Sequence, residues 1–370
     1  MSVPTATDRH RVTRTDRLPG PDVVRGVALI GVVIMNYHGY LILRGNEGTG
    51  DGWAAGVFDP WAGPLATRFA ATFVLVAGVG VTLMTRSSVE GRHDGRADRV
   101  TEQRWRLLRR GLALYVFGLV LDEIWPGTIL PFYGAMFVLA AVVFTWRARW
   151  LVVLGAAAAV AGGAIRAWRF ERIRAGGSTR WLTSPDPGSL RDHVFGVFVN
   201  GTHPLLPWFA FFCAGMILGR FLRTDWWRPV TIAAGATLAA SAAIAATAQT
   251  AGLAGVATSL VPADRSIAYT ASALGTSLVA YGAVDWVAER FPRATDPLRL
   301  AGQMTLTLYV GHVVVFELLV DQLGWIEPTG LDTALSFSLV FWVVGIASAV
   351  VWRRHLGMGP AERLYRALGG

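Results

Sequence analysis

Apolar runs of about 20 residues recur along this chain. Each is long enough to cross the roughly 30 Å hydrocarbon core of a bilayer as a helix. The chain has 370 residues, 53% of them hydrophobic and only 16% charged, a balance that excludes an ordinary soluble domain. The expected fold is therefore an all-α polytopic membrane protein with about ten transmembrane helices. Their expected positions are roughly 24–44, 66–86, 107–124, 128–146, 150–168, 205–223, 229–248, 266–287, 302–322 and 331–352.

Arginine placement sets the expected orientation. The basic segments are the N-terminal stretch with Arg9, Arg11, Arg14, Arg17 and Arg25, the 86–110 connection, the later alternate loops, and the C-terminal stretch from Arg353. If these are cytoplasmic, both termini lie in the cytoplasm of a multi-pass cell-membrane protein. The expected organisation is then a cytoplasmic Arg-rich tail over 1–23, a single helical membrane domain over 24–352 and a second cytoplasmic tail over 353–370. Segments 45–65 and 169–204 are extracytoplasmic loops in this scheme. The second conflicts with the charge rule through Arg169, Arg172, Arg174, Arg180 and Arg191, but long loops translocate largely regardless of charge. The formal charge of +9 thus reads as topology rather than nucleic-acid binding, since no aromatic base-stacking platform is visible. Basic residues are all arginine, as in a GC-rich bacterial genome. Cys213 is the single cysteine, so neither an internal disulfide nor a cysteine metal site is expected.

Polar groups inside a spanning segment mark candidate sites, because they are costly in hydrocarbon. The first run carries Asp22 and Arg25 at its mouth and Asn36, Tyr37 and His38 near its end. Asn36 follows Arg25 by eleven residues, which on a regular helix returns to within about 20° of the same face, roughly 16 Å along the axis. His38 falls about 200° from Asn36 and joins that face only if the helix breaks near Gly39. Thr305, Tyr309 and His312 share one stripe of a later run. His203 stands at the mouth of the sixth span, after Asn200, Gly201 and Thr202. Arg68 and Asp59 stand near the outer end of the second. Each has a plainer reading: a helix cap and topology anchor for Asp22 and Arg25, a snorkelling arginine or an ion pair with Asp59 for Arg68, and an interhelical hydrogen bond for His312. Gly215 and Gly219 form a small-xxx-small pair that suits close helix packing. No phosphate-binding glycine loop, HExxH zinc motif or Gly-x-Ser-x-Gly elbow is present.

Several stretches carry a resemblance. DVVRGVALIGVVIMN resembles the opening signature of the YeiB-type membrane family and of the heparan-α-glucosaminide N-acetyltransferase family. RFAATFVLVAGVGVTL, HPLLPWFAFFCAGMILGRF, AGQMTLTLYVGHVVVF and GPAERLYRAL resemble later YeiB-type segments in order. The more distant acyltransferase family 3 has a histidine where Asn36 stands. The resemblance implies a transmembrane acyltransferase that moves an acyl group from cytosolic acyl-CoA, most simply acetyl-CoA, to a sugar or lipid-linked hydroxyl or amine. The acetyltransferase relatives carry their proposed catalytic histidine in the first luminal loop, whereas this chain has no histidine between Gly39 and Leu65.

Under this reading a histidine is the general base. His38 is the first expectation, with His312 and His203 as rivals, and Asn36 orients the base or binds the oxyanion. Arg25, held by Asp22, would receive the CoA phosphates with Arg106, Arg109 and Arg110. Asp59, Arg68 and Tyr309 would line the acceptor side. No metal and no permanently bound cofactor is expected; the expected partners are membrane lipids, acyl-CoA and the acceptor, with a homodimer as a further expectation. The alternative is a transporter or flippase for a small polar or lipid-linked molecule. A membrane assembly or sensory role is a weaker third.

Overall fold

Helices are the only regular elements among the described residues of the computed structural model, which are 18–45, 51–90, 96–183, 188–248 and 252–370. A helix satisfies its own backbone groups, which a segment surrounded by lipid must do. We number the long helices α1 (Gly20–Gly45), α2 (Arg68–Glu90), α3 (Arg96–Asp122), α4 (Leu130–Val143), α5 (Ala148–Arg174), α6 (Leu205–Phe221), α7 (Trp227–Thr247), α8 (Ile267–Arg290), α9 (Pro292–Gly302), α10 (Thr305–Phe316), α11 (Leu331–His355) and α12 (Pro360–Gly369). α10 widens into π-helical turns over Glu317–Gln322. The N-terminal arginines up to Arg17 and His10 lie outside the described residues, as does His93.

All ten expected spans fall on helices, but not all are membrane-length. Seven helices are long and apolar enough to cross: α1, α2, α5, α7, α8, α10 with its extension, and α11. The count is eight if Leu190–Asn200 and α6, which meet at a 56° bend, form one span. The expected 107–124 span lies in α3, whose first half carries Arg104, Arg106, Arg109 and Arg110 and leaves only a short apolar remainder. The expected 128–146 span is α4, 14 residues or about 21 Å long, well short of the roughly 30 Å core.

α1 runs through the middle of the bundle, packing against α2, α8, α9, α10 and α11. Of its most apolar stretch 61% is buried, against 11% for the peripheral α7. Glycine permits the tightest crossings. A β-carbon on Gly302 would stand 1.8 Å from the Asp22 carbonyl oxygen, so α9 lies directly on the first turns of α1. A β-carbon on Gly215 would meet the Leu75 carbonyl oxygen at 1.9 Å, so Gly215 seats α6 against α2.

The end of the bundle where α1 begins we call basal, and the end where it finishes, distal. α12 lies at the basal end against α3 and α10. Glu362 accepts hydrogen bonds from the Leu306 and Thr307 amides at 2.7 and 3.1 Å and from the Thr307 hydroxyl at 2.5 Å. It thereby caps the N-terminus of α10, whose amides have no partner within the helix. At the distal end, residues 51–67 fold back over the bundle through a short helix, Trp53–Val57. Arg44 there pairs with Asp321 at 2.9 Å and Glu317 at 3.3 Å, tying α1 to the π-helical turns.

Candidate active site

The basal cavity, of about 700 Å³, opens beside the first turns of α1. Arg25 Nη1 stands 3.7 Å from Asp22 Oδ1, the i,i+3 pair that the sequence spacing allows. Asp22 Oδ2 accepts from Gln303 Nε2 at 2.9 Å, and Gln303 Oε1 accepts from Arg353 Nη2 at 2.5 Å. Asp22 is therefore fixed by α9 and Arg25 by Asp22. Arg25, Arg86, Arg106, Arg110, Arg223 and Arg366 all line this cavity. Arg109 does not. The two carboxylates on its wall are already engaged, Asp22 with Arg25 and Gln303, and Glu362 with the α10 cap. The mouth thus carries a strong surplus of positive charge suited to a polyanion. Towards the middle of the bundle the walls turn apolar and aromatic, with Phe73, Leu114, Leu130, Tyr133 and Phe137.

The distal cavity, of about 460 Å³, takes residues from α1, α2, the Trp125–Gly127 turn, the start of α6 and the segment before α8. Asn36 lines it. Behind Asn36, His312 is fully buried, with Nε2 at 3.1 Å from Asn36 Nδ2. The Nδ1 of His312 meets the Tyr309 carbonyl oxygen, an acceptor only, so Nδ1 carries the proton. In the neutral ring Nε2 then accepts, and the Asn36 amide must turn its NH2 towards His312. The Tyr37 hydroxyl donates to the His312 carbonyl oxygen at 3.0 Å and secures the same turn of α10.

His203 lines the distal cavity too. Its Nδ1 is 3.0 Å from Thr202 Oγ1, and that hydroxyl donates to the Gly127 carbonyl oxygen at 3.1 Å. The hydroxyl has one proton and has spent it, so it accepts from His203 Nδ1–H. In the neutral ring Nε2 is then the unprotonated nitrogen, the form a general base requires. Trp208 holds the ring edge-on, with centroids 4.6 Å apart.

His38 faces neither cavity. α1 stays helical through Gly45, so the break that would carry His38 onto the Asn36 face does not occur. The residue is fully buried, and its Nδ1 bonds the Phe58 carbonyl oxygen at 2.8 Å, which ties the 51–67 segment down. Asp59 and Arg68 do not pair. Asp59 Oδ1 accepts from the Trp61 and Ala62 amides at 2.8 and 2.9 Å, shaping the turn whose Pro60 and Trp61 line the cavity. Arg68 lies 5.3 Å over the Tyr269 ring, and it is Tyr269 that reaches the cavity.

Phe73 and Tyr309 line both cavities. The Tyr309 hydroxyl is 2.9 Å from Thr128 Oγ1 and receives the Ile129 amide at 3.3 Å. Phe73 packs edge-on against Tyr133, with centroids 5.7 Å apart. Among the described residues no three His, Cys, Asp or Glu side chains gather as a metal-ligand set. Thr202, Gln303 and Arg265 had no role assigned from the sequence. Thr202 precedes a flagged histidine and Gln303 sits inside a flagged motif. Arg265 breaks the charge rule, being an arginine in a short connection expected outside.

Family comparison agrees with the motifs. The model described as heparan-alpha-glucosaminide N-acetyltransferase, catalytic, matches residues 17–251, from the foot of α1 past α7. The model described as protein of unknown function DUF418, the YeiB-type family, matches residues 212–369. No curated protein matches the chain. With its match extending over well more than half of the sequence, the chain belongs to the family of the heparan-α-glucosaminide N-acetyltransferase catalytic domain.

Proposed function

We propose that this protein is an integral membrane acyltransferase that takes an acyl group from acyl-CoA in the basal cavity and gives it to a hydroxyl or amine in the distal cavity. The observation that carries this reading is the back-to-back arrangement: an arginine-lined chamber and a chamber lined by His203 and Asn36, meeting at Phe73 and Tyr309. The basal end would face the cytoplasm, in keeping with its arginines, with both termini on that side.

Each group then has a task. Arg25, steadied by Asp22, receives the CoA phosphates with Arg106 and Arg110. The acyl end of the donor meets the acceptor at the Phe73–Tyr309 wall. His203 Nε2 takes the proton from the acceptor O–H or N–H as the nucleophile attacks the thioester carbonyl carbon. The free N–H of Asn36, aimed by His312, donates to the oxyanion that forms. The carbon–sulfur bond breaks, the sulfur leaves with the proton held by His203, and the new ester or amide remains on the acceptor. His38 holds the distal covering segment in place.

Paired chambers also suit a transporter that performs no acyl chemistry, and one experiment separates the two readings. The purified protein in detergent is titrated with CoA, acetyl-CoA and ATP and its unfolding temperature followed. A ligand at about 100 times its Kd stabilises by roughly 2.7 kcal/mol. Stabilisation by the CoA species beyond ATP, with loss of acetyl transfer to a sugar amine in His203→Ala by about 10²-fold or more, is expected. A folded protein that ignores every CoA species would overturn the acyltransferase reading.

A further inference from the structure

α4 turns one helical stripe, Leu130, Tyr133 and Phe137, towards the basal cavity. Two of the three are wholly apolar, and Phe73 and Leu114 continue the apolar wall beside them. On this stripe Tyr133 alone carries a polar atom. Its hydroxyl is buried and has no hydrogen-bond partner among the described residues. A buried hydroxyl without a partner is a standing cost to the fold, and phenylalanine would fill the same space without it. The Tyr309 hydroxyl nearby is satisfied, by Thr128 and the Ile129 amide. The place of Tyr133 is well fixed. Its amide donates to the Ile129 carbonyl oxygen at 3.1 Å, so it stands one turn along α4 from the residue whose own amide meets Tyr309. Its ring packs on Phe73. A β-carbon on the adjacent Gly134 would stand 2.6 Å from the Gly111 carbonyl oxygen, so α4 lies directly on α3 at this level. An unspent donor therefore stands beside both residues at which the chambers meet, with the Arg25 charge within electrostatic reach on the mouth side.

We propose that the Tyr133 hydroxyl donates a hydrogen bond to the thioester carbonyl oxygen of the acyl donor. Resting on the acyltransferase reading, this gives the oxyanion a second donor from the basal side, opposite Asn36. The thioester is the group concerned, rather than the phosphates or the amides of the pantetheine arm, because of depth: the arginines hold the mouth, whereas Tyr133 lies against Phe73 at the inner wall. As the nucleophile adds to the carbonyl carbon, the π pair moves onto that oxygen and the Tyr133 hydrogen bond strengthens, its proton staying on Tyr133. When the carbon–sulfur bond breaks, the pair returns and the carbonyl of the ester or amide forms. The same contact separates donor from product, since the thioester carbonyl is what acyl-CoA has and CoA lacks.

The test is a binding measurement that needs no turnover. Wild type and Tyr133→Phe, purified in detergent, are titrated calorimetrically with acetyl-CoA, CoA and S-ethyl-CoA, a thioether of the same length without the thioester carbonyl. Tyr133→Phe is expected to bind acetyl-CoA about fivefold more weakly and the other two as the wild type does. Isotope-edited infrared spectroscopy of bound acetyl-CoA should show the thioester carbonyl stretch at a higher frequency in Tyr133→Phe, where the donor is gone. Weakening shared by all three ligands would place the hydroxyl on the pantetheine arm, and no weakening would leave it without a ligand; either overturns the proposal. Without ligand, Tyr133→Phe should unfold at the same temperature or a higher one, since the hydroxyl has no internal partner to lose. A fall would reveal such a partner and overturn the assignment. If Tyr133→Phe fails to fold, the wild type decides: acetyl-CoA is expected to bind about threefold or more tightly than S-ethyl-CoA, and equal affinities overturn the proposal. A wild type that binds no CoA species removes the acyltransferase reading and this contact together, whereas binding indifferent to Tyr133 removes the contact alone.

Discussion

The tautomers of two histidines follow from their neighbours. His312 is held by the Tyr309 carbonyl oxygen on one side and the Asn36 amide on the other, so it has no nitrogen left for a substrate. Its proposed task is to aim Asn36, and His312→Phe is expected to lower kcat by about 10- to 100-fold, with little change in the KM for acyl-CoA. Steady-state kinetics would check this, and a proportional rise in that KM would count against it. His203 keeps Nε2 free, and Thr202→Val, which removes the hydroxyl that fixes its tautomer, is expected to cost about 10-fold or more in kcat. Periodicity made the shared face of Arg25 and Asn36 legible, since both sit on one regular helix. It did not reveal the partnership of Asn36 with His312, because a helix pattern carries no information about which residue 276 positions away packs opposite. Which of His38 and His203 lines a cavity was illegible for the same reason: it turns on how a loop approaches a helix it does not adjoin in sequence.

At the level of elements, the family motifs acquire mechanical reasons. The glycine of the Arg25–Gly26 pair lies under α9, where a β-carbon would come 2.7 Å from the Leu298 carbonyl oxygen. Gly302→Ala should push α9 off α1 and loosen Gln303 from Asp22. The expected cost is about 1–3 kcal/mol, read as a lower unfolding temperature in detergent. The GPAERLYRAL stretch forms α12, and its glutamate caps α10, the helix that carries Tyr309 and His312. Glu362→Ala is expected to cost about 1–2 kcal/mol by leaving those amides unpaired. Chemical denaturation of the detergent-solubilised protein would measure it. Hydropathy located ten of the twelve long helices, though only seven or eight spans meet the length and apolarity of a crossing, because α3 joins a basic half to an apolar half and a sliding window registers only the second.

Across the whole molecule, several of the arginines that suggest the chain's orientation from its sequence also line the basal cavity. One set of charges would then serve topology and donor binding together. Arg106→Gln with Arg110→Gln is expected to weaken CoA binding by about 10-fold or more while leaving membrane insertion intact, since the other basic segments remain. Isothermal titration with CoA would check it.

The meeting of the two chambers at Phe73 and Tyr309 has an electrical consequence. Wet vestibules set end to end shorten the insulating path across a bilayer, and each elementary charge that slips through a 100 mV potential dissipates about 2.3 kcal/mol. Under the proposed reaction the two rings would act as a dielectric plug that prevents a short circuit while acyl transfer proceeds around them. Phe73→Ala should make liposomes holding the protein leak protons even with no acyl donor present, as an entrapped pH dye would report.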